Sequence, residues 1–105
     1  MLFRSAIEAP TSGQVTLGVA DEPVLEWPIA RIDGGWITLG FAESLGEAGT
    51  HAMAGMLALM ERELGVSGAD AMALASLAVD LRITQVVNGC VGVHALLRDD
   101  AFRSA

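Results

Sequence analysis

Cysteine occurs once in this 105-residue sequence, proline three times and tyrosine not at all. A lone Cys90 excludes an internal disulfide, so nothing supports an oxidising compartment. It reads as a small buried thiol, because a nucleophile needs a base and an activating charge beside it, and His94 four residues on is a weak hint. Five aromatic residues leave few platforms for stacking bases. Positive charge is also scarce: six basic against thirteen acidic side chains give a formal net charge of −7, which repels phosphate backbones and anionic membrane surfaces. Nucleic acid and membrane are therefore excluded as expected partners. No apolar run approaches the ~20 residues of a membrane span without polar interruption. Met1-Leu2-Phe3-Arg4 meets Glu8 and Pro10 too soon for a secretory leader, so the expected address is cytoplasmic. No glycine-rich phosphate loop and no nucleophile-elbow serine appears, and His51 and His94 lack the carboxylate spacing of a zinc site.

What the chain does have is apolar residues, 52% of the total, enough for one core. Residues 14–19 alternate, with Val15, Leu17 and Val19 separated by Gln14, Thr16 and Gly18, the period of a half-buried strand. Asp21-Glu22-Pro23 marks a turn, and residues 24–32 an extended run in which Pro28 favours a sheet edge. Asp33-Gly34-Gly35 predicts a tight turn into a third strand over residues 36–41.

Ser44 with Glu47 three residues later matches a capping box, and Gly65 is a natural helix stop. Between them Leu45, Ala48, Ala52, Met53, Met56, Leu57, Met60 and Leu64 form one apolar face, the methionines filling core gaps. The other face carries Glu43, Glu47, His51, Gly55, Ala58 and Arg62, and places His51 in solvent or at an interface. Ser67 and Asp70 start a second helix, apolar from Ala69 to Val79.

Residues 77–97 form an apolar run that nevertheless carries Asp80, Arg82, Thr84, Gln85, Asn88 and His94. Buried polar groups need partners, so these form either a satisfied network or a site. Two local structures compete here. As a helix, Ser76, Asp80, Thr84 and Asn88 share one stripe. As a strand, Asp80, Arg82 and Thr84 alternate with Leu81 and Ile83, and Asn88-Gly89 becomes a hairpin turn. Length and continuity favour a helix to about Val87, then a strand over residues 91–97 and a frayed end from Arg98. The expected class is α+β: an antiparallel β-meander followed by two helices and a final strand.

The strings AIEAP at residues 6–10, EWP at 26–28, WITLGF at 36–41, SLAVDLRITQVVNG at 76–89 and GVHALL at 92–97, in that order, resemble the C-terminal part of the acetamidase/formamidase family. The resemblance implies hydrolysis of the carbon–nitrogen bond of small linear amides, giving ammonia and a carboxylate, by intracellular homo-oligomers. Carried over by position, Glu8, Asp80, Gln85 and His94 match family motifs as site candidates. Glu8 is by its own context either a buried base or an exposed carboxylate, and Asp80 either a structural partner of Arg82 or Thr84 or an acid. The family's chains are much longer, and their GDGE-like run before AIE has Met1-Leu2-Phe3-Arg4-Ser5 in its place here. The resemblance thus implies no cofactor held by this chain, with room for a divalent metal in the complete enzyme. A small amide is the implied substrate, and the chain on its own is expected to be inactive.

Overall fold

A computed structural model describes residues 9–21 and 25–102. Two strands, β1 (Ile29–Ile32) and β2 (Gly35–Ala42), are followed by two helices, α1 (Leu45–Leu64) and α2 (Gly68–Ala78), and by strands β3 (Asp80–Gln85) and β4 (Val91–Arg98). The sheet order is β1-β2-β4-β3, with every neighbouring pair antiparallel. This is the expected α+β class, with α1 packed on an antiparallel sheet and α2 packed on α1.

The sheet is built from two hairpins. In the first, Gly34 takes φ 85° between β1 and β2, a conformation that side chains resist and glycine accepts. In the second, Asn88 and Gly89 have φ 73° and 88°, the positive pair that a primed turn requires. The second hairpin replaces the predicted helix over residues 80–87. Helix α2 ends at Val79, whose backbone is extended with φ −90° and ψ 128°. Branched Val79, Ile83, Thr84, Val86 and Val87 pack better on a pleated surface than around a helix. Forming β3 also gives β4 a hydrogen-bonded neighbour on each side, as the nearly continuous apolar string VGVHALL demands. The i, i+4 polar stripe was a coincidence of spacing.

The other expected strand, over residues 14–19, does not form. Val15, Leu17 and Val19 are 81%, 90% and 97% exposed, and among the described residues the segment pairs with no strand. Alternation makes a segment fit for a sheet but supplies no neighbour. Of the expected extended run 24–32, Ile29–Ile32 is strand. Pro28 lies just ahead of it at the sheet edge, where its carbonyl accepts a 2.9 Å bond from Leu39 N–H and its missing donor costs nothing. Val24 and the Glu22-Pro23 part of the expected turn lie outside the described residues.

Both helix starts are capped as the sequence indicates. Ser44 Oγ accepts from Glu47 N–H and Ser67 Oγ from Asp70 N–H, each at 3.2 Å. Gly65, at φ 67°, closes α1 by donating to the Glu61 carbonyl. The apolar stripe of α1 lies on β2 and β4, and the core unites Ala48, Ala52, Met56, Leu59 and Met60 with Ala71, Ala75, Val93, Ala95 and Leu97. The methionines are core filler, as expected. Two assignments shift: Gly55, expected on the polar face, is buried against Thr38, while Leu45 and Leu64 at the helix ends are exposed.

The close approach of α1 explains Gly55 and, more sharply, Gly40. A Cβ at Gly40 would run into the Ala48 carbonyl and stand 2.5 Å from Ala52 N. Thr38, wholly buried, donates from Oγ1 to the Ala52 carbonyl at 2.7 Å. Arg31 reaches from β1 to Asp99 with two hydrogen bonds of 2.6 and 2.8 Å, its guanidinium 5.1 Å from the Trp36 ring centroid. Asp99 is thus held, and the described chain does not fray at Arg98.

Two stability predictions follow from this packing. Gly40→Ala should destabilise by about 1–3 kcal/mol or more, because helix backbone must move. Gly49→Ala in the same helix, where nothing lies within 4 Å, should stabilise by roughly 0.5–1 kcal/mol. Urea unfolding of both reads the contrast, and equal effects would remove the close-approach argument. Hydrogen bonding from Arg31 holds the Asp99 carboxyl below its usual pKa. A lowered folded pKa contributes stability that is present above the unfolded value of about 4 and fades as pH falls through the folded one. Asp99→Asn should therefore lower stability slightly at neutral pH, the pair being half-exposed and screened, leave it unchanged at low pH, and so flatten the profile below about pH 4 in urea unfolding across pH.

Candidate functional site

Helix α1 covers one face of the sheet, and the other, open face carries no helix among the described residues, although Leu96 on it is buried. Trp36 and Ala42 pack on the core, and Thr38 bonds to α1, so the even-numbered positions of β2 face the helices. Ile37, Leu39 and Phe41 therefore point the other way, a direct consequence of the two-residue period. In β4 their cross-strand neighbours are Leu96, His94 and Gly92. Across the second ladder, Asp80 stands opposite Leu96 and Arg82 opposite His94. Charged, imidazole and apolar groups thus share one surface away from α1.

His94 is its centre. The register shift between Ile83 and Gln85 marks a bulge at Thr84, and Thr84 Oγ1 shares a 2.8 Å hydrogen bond with His94 Nδ1. Bulges commonly re-aim a side chain in this way. Gly92 makes room for the cluster, since a Cβ there would meet the Phe41 ring at 2.9 Å and Thr84 Cβ at 3.3 Å. With Nδ1 engaged by a hydroxyl, the ring's Nε2 is the atom left to exchange a proton or a hydrogen bond with another molecule. Arg82, exposed on the same face, adds a guanidinium suited to a carbonyl or carboxylate oxygen.

The four sequence candidates take different positions. His94 and Asp80 share the open face as diagonal neighbours across the β3–β4 ladder. Asp80 is 3.8 Å from the Arg98 guanidinium, both groups being more than half exposed. Gln85 instead turns into its own hairpin, where Nε2 donates to the Cys90 carbonyl at 3.1 Å and lies 3.6 Å from the Cys90 sulfur. It fixes the turn that carries Asn88 and Gly89. Glu8 lies outside the described residues, as does most of AIEAP. His51, expected in solvent or at an interface, is half-buried and stacks on Trp27 with centroids 4.2 Å apart. Thr84 and Arg82, which surround His94, are legible only from the strand alternative for residues 80–85, whose period aligns them with Asp80.

Chemically, the face offers an imidazole, a guanidinium and a carboxylate, but no activated nucleophile. Among the described residues, no three of His, Cys, Asp and Glu come together in a group able to hold a metal ion. The donor set of the described residues therefore does not fit a metal. No helix of the described residues is long and apolar enough to cross a membrane.

No protein-family model matches the sequence, and no curated protein matches it significantly. Among solved structures, the fold superposes on a crystal structure from Bacillus halodurans with a TM-score of 0.63 and 28% sequence identity. That protein is an acetamidase. The match covers 68% of this chain and 24% of the acetamidase, so the chain spans about a quarter of the length of the structure it resembles.

The polar contacts around β3 predict a ranking. Gln85→Ala should cost about 0.5–1.5 kcal/mol, the net worth of a part-buried hydrogen bond. Asp80→Asn should cost less than about 0.5 kcal/mol, because exposed ion pairs contribute little. Chemical denaturation of the two variants checks the order, and a larger loss at Asp80 would mark it as structural.

Proposed function

We propose that this chain is the C-terminal part of an acetamidase/formamidase and that the complete protein hydrolyses small linear amides of the formamide and acetamide class to ammonia and a carboxylate. The likeness to the Bacillus halodurans acetamidase carries this reading, with 28% identity over 68% of the chain. The motif order in WITLGF, SLAVDLRITQVVNG and GVHALL supports it from the sequence side.

In this reading the open sheet face borders the amide. Hydrolysis requires an activated water, donors for the tetrahedral oxyanion and an acid for the departing amine. His94, oriented by Thr84, is placed for proton exchange or hydrogen bonding through Nε2, and Arg82 for an oxygen of the substrate. Asp80 lines the same face, Gln85 holds the hairpin, and Glu8 is the candidate general base. The other groups that activate water, with any divalent metal, belong to the remainder of the enzyme. We place the protein in the cytoplasm on the same family ground.

A second reading is favoured by the surface. Met72, Leu77, Leu81 and Ile83 are all more than half exposed, apolar side chains that a second copy could cover. A non-catalytic homo-oligomer of the same ancestry would cover it.

Ammonia release from formamide and acetamide tests the first reading, assayed with the chain alone and with an N-terminal amidase partner added. Turnover is expected only in the second case, and His94→Ala should lower it by about 10²–10⁴-fold if the imidazole transfers a proton. Absence of turnover in both leaves the non-catalytic reading standing.

A further inference from the structure

Residues 14–20 are built as a strand and used as none. Val15, Leu17 and Val19 alternate with Gln14, Thr16 and Gly18, yet their side chains are almost wholly in solvent. The described chain has a radius of gyration of 15.4 Å, against about 13 Å for a globule of this length. The segment stands off the body.

At the far side of the sheet, β3 has a neighbour on one side only. Its outer edge presents backbone donors and acceptors that no described backbone group meets. Leu81 and Ile83 point to the α1 side and remain 53% and 61% exposed, while Asp80, Arg82 and Thr84 point to the open face. An edge with one apolar side and unpaired amides is a template for another strand.

From these two observations we propose that residues 14–20 of one copy add as a strand to the β3 edge of a second copy, and that the exchange is reciprocal. Both partners have the same one-sided alternation, so pairing sets Val15, Leu17 and Val19 beside Leu81 and Ile83 and leaves the polar sides together. The segment carries no charge, and Asp80 and Arg82 offset each other within β3, so the net charge of −7 does not act at the contact. Residues 14–20 lead into β1 at the opposite edge, across β2 and β4 and about 14 Å from β3, a span that the connection over residues 21–28 could bridge, so the cross-links below separate exchange between copies from internal pairing. The nearer β1 edge has four residues and directs Arg31, already engaged by Asp99 and Trp36, to the α1 side. A reciprocal exchange closes as a two-fold dimer and leaves no free edge at β3. It gives the homo-oligomer proposed above a specific contact, and so rests on that part of the reading.

The test uses the 105-residue chain with Cys90→Ala, to leave no native thiol. Light scattering should give twice the chain mass, and Thr16→Pro, which removes a ladder donor at an exposed site, should return it to the chain mass with an unchanged circular-dichroism melt of the body. Chains carrying only Leu17→Cys are mixed with chains carrying only Ile83→Cys, or Leu81→Cys for the neighbouring register, and oxidised. A disulfide between the two unlike chains is expected. A monomer at all concentrations overturns both the contact and the oligomer. A dimer that Thr16→Pro leaves intact, or a cross-link that forms only within a chain bearing both cysteines, overturns the contact and leaves the oligomer.

Discussion

Everything in this fold depends on how closely α1 lies on the central strands. Backbone reaches backbone at Gly40, where Ala48 and Ala52 occupy the space a side chain would need. Two residues earlier, Thr38 spends its only hydroxyl on the Ala52 carbonyl. Small residues on both surfaces let Met56, Leu59 and Met60 fill what remains, all three fully buried. This contact decides which face of β2 is inside. By the two-residue period it also decides that Ile37, Leu39 and Phe41, and with them His94, look outward. The position of the candidate site is thus a consequence of helix packing on the other side of the sheet.

The same constraint explains what the sequence made legible. Caps, turns and the core stripe are local: Ser44 and Ser67 act on amides three residues away, Gly65 and Gly34 on their own φ, and the methionines on a helical period. Each could be read without knowing what lay opposite. The assignments that failed required a partner to be known. Residues 14–19 have the alternation of a strand but no neighbour to pair with. Residues 80–87 support either period, and only the place of β4 between β2 and β3 settles them as a strand. Gly55 looked like a polar-face residue because nothing in its local sequence discloses Thr38 across the interface.

Site residues divide along the same line. That His94 and Asp80 share a face follows from strand register, invisible while residues 80–87 were taken as helix. Gln85 lies at the bulge that turns Thr84 toward His94, so its bond to the Cys90 carbonyl supports the site through the hairpin. A polar residue within an apolar run can therefore matter to chemistry without touching a substrate.

The two surfaces left open by this chain differ in kind. Around His94 the face is mixed, with exposed Arg82, Asp80 and Thr84 beside half-buried Leu39 and Phe41. At the β3 edge it is apolar with unpaired amides, the composition of a surface that meets backbone. Both lie on one hairpin, because alternate residues of β3 serve opposite faces. Any strand added at that edge would extend the ladder holding Thr84 against His94. The bulge would then lie within a continuous sheet instead of at its fraying margin. Rigid placement of a proton-exchanging group depends on such support. Assembly at the edge, if it occurs, would in that way be coupled to orientation of the imidazole through the six residues of β3.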